Sequence, residues 1–196
     1  MILEGILTTI NADGSVNIAP MGPIVDDEMR VLTLRPFQTS TTFGNLKRTG
    51  QGVFHVVDRV DLLARAAVGA VDPLPAMSRA TAVEGWILDD ACRWYAVRVR
   101  DLDDSSPRAE IAAEVVDSGN LREFFGFNRA RHAVLEAAIL ATRVGLLPAG
   151  DILKEFAKLR VIVAKTGEAT EHEALDRLEQ HVRGALPSLD LVDMTG

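Results

Sequence analysis

The residues best suited to chemistry lie in one stretch, Arg35-Pro36-Phe37-Gln38-Thr39-Ser40-Thr41-Thr42-Phe43-Gly44-Asn45-Leu46. It reads as the end of a strand running into the start of a helix. A helix N-terminus leaves about four backbone N–H groups unpaired and carries partial positive charge. Anions, phosphate above all, bind there. Thr39, Ser40, Thr41 and Thr42 add hydroxyl donors, and Arg35 offers a planar fork of N–H groups. One Ser or Thr at this position is an ordinary helix cap. Four in a row exceed what a cap uses.

A second element is Asn17-Ile18-Ala19-Pro20-Met21-Gly22-Pro23. Two prolines flank Met-Gly at a strand end. Proline donates no ladder hydrogen bond, so the segment belongs at a sheet edge or a bulge. It is either a backbone edge open to a flat ligand or a simple strand terminus.

Other polar groups carry weaker signals. His132 and Glu136 sit four apart on a helix, with Asn128 and Arg129 one turn earlier. That spacing suits an exposed pair or a patch facing a ligand or partner. A metal site would need more ligands. Glu171-His172-Glu173 and His181 read as a solvated helix face. Cys92 reads as a buried thiol, and Trp86, Trp94 and Tyr95 as packing aromatics.

The elements that must position these groups divide into a β front and an α back. Residues 2–10 and 15–19 are strand-like and joined by Ala12-Asp13-Gly14, a hairpin signal. A strand follows over 29–34, then a short helix from Phe43 to Arg48 closed by Gly50. Gly52 to Val57 reads as a strand and Val60 to Ala70 as a helix. Residues 71–80 read as a loop and 81–88 as a strand. Two long strands, 92–102 and 109–116, flank a polar hairpin loop. The back reads as three helices. The first runs from Asn128 to Leu147, and the second from Ile152 to Lys165, capped by Asp151. The third begins at Thr170 with a capping box to Glu173 and ends at Gly184. Strands first and helices later argue α+β. The long antiparallel strands suggest a barrel or a strongly coiled sheet.

Composition narrows the function classes. The chain has 196 residues, 47% of them hydrophobic, and a net charge of −7. Residues 1–119 carry a balance of −6, and no basic stripe exists of the kind nucleic acid requires. A single cysteine excludes an intrachain disulfide and a multi-cysteine metal site. The first ten residues lack a basic leader, and Glu136 and Arg143 break the longest apolar run. The expectation is a cytoplasmic protein without a membrane span.

The order Asn-Ile-Ala-Pro-Met-Gly, Leu-Arg-Pro-Phe, Ser-Thr-Thr-Phe-x-Asn-Leu, Gly-Val-Phe-His-Val-Val-Asp resembles the FMN-binding split-barrel superfamily of flavin reductases and pyridoxamine-phosphate oxidases. The closer resemblance is to the domain of unknown function family 447. That family joins the barrel to helices with a motif like Phe-Asn-Arg-Ala-x-His-Ala-Val-Leu-Glu-Ala, found here at 127–137. The resemblance implies an antiparallel split β-barrel over 1–119, a helical region over 120–186 and a tail over 187–196. It implies FMN as cofactor, with Arg35, Thr39, Ser40, Thr41, Thr42 and Asn45 around the phosphate. Ala19, Pro20, Met21 and Gly22 would run along the isoalloxazine ring. His55 stands where relatives often have Asn, either touching flavin or filling the barrel, and Asp58 is a weaker candidate. Asn128, Arg129 and His132 would face substrate or an interface. The implied function is an FMN-dependent oxidoreductase of the flavin reductase-like type, working as a homodimer with a nicotinamide, deazaflavin or pterin substrate. The alternative is a non-catalytic FMN-carrying or ligand-sensing dimeric module.

Overall fold

The computed structural model describes residues 1–185; the tail expected over 187–196 lies outside them. The chain divides into two compact units. One comprises Met1–Asp58 and Val71–Phe125, and the other Arg59–Ala70 and the chain from Gly126 onward. This differs from a single cut at 119. The segment 59–70 leaves the strands for the helices, and 120–125 stays with the strands.

The first unit holds a seven-stranded antiparallel sheet. Its strands are β1 (Gly5–Ile10), β2 (Val16–Met21), β3 (Ile24–Val25), β4 (Val31–Leu34), β5 (Gln51–Val56), β8 (Arg93–Asp103) and β9 (Glu110–Asn120). A separate hairpin pairs β6 (Met77–Arg79) with β7 (Trp86–Leu88). The order in the large sheet is β2-β1-β5-β8-β9-β4-β3. Two strands consecutive in sequence thus stand at opposite edges. The chain changes partner at Gly22-Pro23, where Pro23 has no N–H to give.

The N-terminal residues then bring the edges together. Leu3 N–H donates to the Pro23 carbonyl at 3.1 Å and Val25 N–H to the Met1 carbonyl at 2.8 Å. An antiparallel bridge joins Ile2 to Ile24. The sheet therefore curls into a split barrel, as expected. Register shifts in the β8–β9 ladder, between Ala96 and Val97 and between Val99 and Asp101, help these eleven-residue strands bend. Leu7, Leu32, Leu34, Phe54, Val97 and Ile111 fill the inside, together with Phe43 and Leu46. Gly5 is required by close approach: a Cβ there would collide with the His55 carbonyl.

Helix α1 (Thr41–Thr49) ends at Gly50, whose φ of 65° satisfies the left-handed cap. The loop expected over 71–80 contains β6, and only 86–88 of the strand expected over 81–88 forms. β9 runs to Asn120, beyond the expected end.

The second unit packs α2 (Val60–Ala67), α3 (Arg129–Ala141), α4 (Ala149–Thr166) and α5 (Ala169–Gly184) together. On α3, Ala130, Ala133, Val134, Ala137, Ala138 and Ala141 are buried. Helix α3 stops at Ala141, six residues short of its expected end. The Thr142 hydroxyl donates back to the Ile139 carbonyl at 2.8 Å, and Gly145 has a φ of 85°. Pro148, not Asp151, is the cap residue of α4; Asp151 lies in the first turn and pairs with Lys154. The capping box of α5 is Glu168 with Glu171, not Thr170 with Glu173. Among the described residues, no helix is long and apolar enough to cross a membrane.

Candidate functional site

The 35–46 segment leaves β4 and enters α1 within the first unit. Ser40 is the N-cap: its Oγ accepts from the Phe43 amide at 3.2 Å and donates to the Phe37 carbonyl at 2.7 Å. Thr39 and Thr41 are exposed. No described residue accepts from the Thr41 or Thr42 amide. The Nε of Arg35 is buried without a partner, while its carbonyl accepts from Arg108 Nε at 2.7 Å. A buried guanidinium N–H without an acceptor is costly, and an anion would satisfy it. The loop is braced from the other side. Gln38 Nε2 donates to the carbonyls of Asp104 and Ser106 at 2.6 and 2.7 Å, and Arg108 lies over the Phe37 ring.

Thr42 and Asn45 face the sheet instead of the open end. Both are buried. Asn17 Nδ2 donates to Thr42 Oγ1 at 3.0 Å and to Thr9 Oγ1 at 3.1 Å. Asn45 Nδ2 donates to Thr9 Oγ1 at 3.0 Å and to Asn11 Oδ1 at 2.8 Å. Arg48 closes the corner on the Ile10 carbonyl. These bonds dock α1 onto the β1–β2 hairpin. Sequence reasoning passed over Thr9 and Asn11, and took Asn17 only as the head of the 17–23 strand end. The available signal was polar side chains at Thr9 and Asn17, which face each other in the strand register.

Ala19, Pro20 and Met21 lie on β2, an edge strand whose one ladder partner is β1. Pro20 is tolerated there for that reason. Gly22 follows directly, and a Cβ on it would meet the Glu4 carboxylate at 2.7 Å. Its lack of a side chain is therefore used by Glu4.

His55 and Asp58 are committed elsewhere. His55 is fully buried. Its Nδ1 bonds the Ile6 carbonyl at 3.2 Å, and its Nε2 accepts from the Leu88 amide at 3.1 Å. Burial pushes its pKa down to about 4, against a smaller upward pull from the Ile6 carbonyl. With both nitrogens used, it fills the barrel and pins β7. Asp58 Oδ2 and Oδ1 accept from Arg122 Nη1 and Nη2 at 3.0 and 2.5 Å, and Oδ2 also accepts from the Phe125 amide at 2.9 Å. The same guanidinium reaches the Asp90 carbonyl. The Asp58 hydrogen bonds raise the Arg122 pKa further above its ordinary value. Asp58 is thus a clamp on the 121–125 segment. Burial first, then the Asp58 charge, raises the Cys92 thiol.

In the helical unit, Asn128 caps α3 by accepting from the Arg131 amide at 3.0 Å, and donates to the Thr166 carbonyl at 3.1 Å. Arg129 is exposed, and the exposed His132 ring stands edge-on to Phe127. Among the described residues, no three His, Cys, Asp or Glu side chains gather as a metal site.

The curled sheet with a helix seated across one hairpin is the architecture of the FMN-binding split barrels. The FMN-bound protein MM1853 from Methanosarcina mazei matches with a TM-score of 0.78 at 23% identity, over 94% of this chain and 95% of that one. The FMN-binding protein from Thermus thermophilus matches at 0.52 and 11% identity, over 62% of this chain and 72% of that one. Flavoredoxin from Methanosarcina acetivorans matches at 0.52 and 10% identity, over 61% and 68%. The model for the N-terminal domain of the protein family of unknown function DUF447 matches residues 3–122, and a second DUF447 model matches 128–180. The chain belongs to the DUF447 family. No curated protein matches the sequence.

Proposed function

We propose that this protein binds FMN and acts as a flavin-dependent oxidoreductase. The observation that carries the reading is the buried, unpartnered Nε of Arg35 on the loop leading to the open N-terminus of α1. Arg35, the Thr41 and Thr42 amides and the hydroxyls of Thr39 and Thr41 would hold the phosphate. Ser40 and Asn45 keep the helix start in place. The Ala19–Gly22 edge would lie along the ring. The FMN named with MM1853 and with the Thermus protein supports the same ligand here.

Bound FMN supplies the electron- and hydride-accepting ring. The chain positions it and excludes water. Neither His55 nor Asp58 has a free atom to move a proton, so reactivity would rest with cofactor and substrate. A nicotinamide, deazaflavin or pterin substrate is part of the proposal, as are a homodimer and a cytoplasmic location. The exposed side chains of Leu121 and Phe125 suit an interface between copies, and a monomeric mass by light scattering would count against it.

The test is titration of the purified protein with FMN and with riboflavin, followed by absorbance and fluorescence. The expected result is a yellow complex with FMN and weaker binding of riboflavin. Arg35→Ala should weaken FMN by roughly 10- to 100-fold, the scale of a charge-assisted hydrogen bond, and leave riboflavin unchanged. A folded protein that takes up no FMN at micromolar concentration ends the reading. The second reading, a non-catalytic FMN carrier, draws on His55 and Asp58 being held by bonds within the protein. It predicts tight FMN binding and no reduction by any of the three donor classes in stopped-flow.

A further inference from the structure

The pairing of β4 with β9 continues past the end of β4. Leu34 pairs with Ile111. Ala109 N–H then donates to the Pro36 carbonyl and Gln38 N–H to the Pro107 carbonyl, each at 3.0 Å, and an antiparallel bridge joins Phe37 to Arg108. Opposite residues of such a ladder share a face, and successive residues alternate. Leu34, Ala109 and Ile111 belong to the core. Arg35, Phe37, Arg108 and Glu110 therefore share the other face. Arg108 stands level with Phe37, whose carbonyl accepts from the N-cap Ser40 at 2.7 Å. Its Nε donates to the Arg35 carbonyl at 2.7 Å, and its guanidinium lies 5.4 Å from the centre of the Phe37 ring. The rest of that fork donates to no described residue. The Arg35 guanidinium has no acceptor among the described residues either, and its Nε is buried. The carboxylates around the two arginines are engaged elsewhere. Asp104 pairs with Lys47, Glu114 with Arg100, and Asp103 accepts from the Ser105 amide. Glu110, opposite Arg35 in the ladder, forms an ion pair with neither arginine among the described residues. Helix α1 adds Lys47 and Arg48 and no acidic residue. Two neighbouring arginines thus stand without a carboxylate in the half of the chain whose charge balance is −6.

We propose that Arg108 is a further ligand-binding residue: with Arg35 it forms a two-arginine clamp that selects a terminal phosphate monoester in its dianionic form. This rests on the reading that the 35–46 segment takes the phosphate of a flavin. A phosphate monoester loses its second proton near pH 6, to about −2 charge. One guanidinium serves the monoanion, and a second adds most when the second charge is present. Planar guanidinium forks also match phosphate oxygens in pairs. The clamp is set before the ligand arrives. Gln38 Nε2 donates to the Asp104 and Ser106 carbonyls, so the segment that carries Arg35 and the loop that carries Arg108 are one body. The Phe37 ring and the Arg35 carbonyl hold the Arg108 fork in place. Arg108 comes from the β8–β9 loop, some seventy residues past the motif that marks the phosphate end, which is why residue order in 35–46 does not reveal it.

The experiment titrates wild type, Arg108→Gln and Arg108→Lys with FMN and with riboflavin, which differ only in the phosphate, at about pH 5 and about pH 7.5, on either side of the second ionisation. Melting curves at both values check the fold. Wild type should bind FMN about 10-fold more tightly at the higher pH, with riboflavin changed less than about 2-fold. Arg108→Gln keeps an amide donor for the Arg35 carbonyl and loses the charge. It should weaken FMN by about 10-fold at the higher pH and by about 3-fold or less at the lower, and spare riboflavin. Its pH dependence should therefore flatten. Arg108→Lys keeps the charge without the fork, so FMN should weaken by a few-fold with the pH dependence retained. A brace on the Arg35 carbonyl alone predicts something else: one factor of loss at both pH values. That result, equal losses for both flavins, or no loss for either overturns the proposal. Where Arg108→Gln fails to fold, the wild-type profile and Arg108→Lys decide it, since FMN binding that does not rise with pH, or that loses its rise in Arg108→Lys, also overturns it. If wild type binds FMN and riboflavin equally at both pH values, the phosphate reading itself has failed. A wild type that binds neither overturns both.

Discussion

Two polar corners of the strand unit use similar residues in opposite ways. In the corner of Asp58, Arg122 and Asp90, the Asp58 carboxylate is buried and accepts from Arg122 and the Phe125 amide, and the guanidinium is shared between that carboxylate and Asp90. In the corner of Arg35 and α1, a guanidinium Nε has no partner and two amides have no acceptor among the described residues. The first corner is complete as it stands. The second leaves donors without acceptors, which an anion would satisfy. Residue type alone does not separate them, since each holds an arginine beside buried polar groups. What separates them is the balance of donors and acceptors.

The largest expected effect tests the closed corner. Arg122→Ala leaves the Asp58 carboxylate, 3% exposed, without its counter-charge. Breaking a buried pair in this way costs about 3 kcal/mol or more. Denaturant unfolding should show that loss, and the folded variant should bind FMN as wild type does. A loss under about 1 kcal/mol, or weaker FMN binding at unchanged stability, would make the two corners alike.

His55 belongs to the same closed class and gives a pH-dependent effect. Its folded pKa of about 4 lies below the ordinary value of 6.5. Above 6.5 both folded and unfolded forms are neutral, and the group adds no pH dependence. As pH falls from there toward 4, the unfolded chain takes up a proton that the folded one refuses. Stability is therefore lost through that window, by up to about 3 kcal/mol. His55→Asn removes the titration, so its stability should fall less steeply over the same range. Parallel slopes for the two proteins would mean that the ring is protonated in the fold.

Much of the fold was legible because its signals are local. Ala12-Asp13-Gly14 and Gly50 mark a hairpin and a helix end through turn chemistry that needs no distant partner. The change of partner at Gly22-Pro23 and the membership of α2 among the helices depend on pairings far along the chain. The end of α3 was hidden because apolar residues continue past Ala141, while a Thr142 back-bond and Gly145 turn the chain. The site followed the same division. Arg35 to Asn45 stood out as a group from residue type and order. Its sorting into sheet-facing Thr42 and Asn45 and solvent-facing Thr39 and Thr41 needed the hairpin beneath it. His55 and Asp58 were drawn in by type, while their partners, the Leu88 amide and Arg122, lie 33 and 64 residues away.

The smallest expected effect falls on Ser40, which takes part in the protein's own bonding and also stands at the open end. Its Oγ caps α1 through the Phe43 amide. Ser40→Ala removes the cap and should cost about 1 kcal/mol. The FMN affinity of the folded protein should change little, because Ser40 has spent its hydrogen on the Phe37 carbonyl. Ser40→Asp restores a capping acceptor and should recover the stability. It also places a negative charge where the phosphate would sit, so FMN binding should fall several-fold while riboflavin binding holds. Stability and affinity then move in opposite directions at one position. If Ser40→Asp binds FMN as tightly as wild type, the start of α1 is a capped helix end like any other, and the contrast between the two corners rests on Arg35 alone.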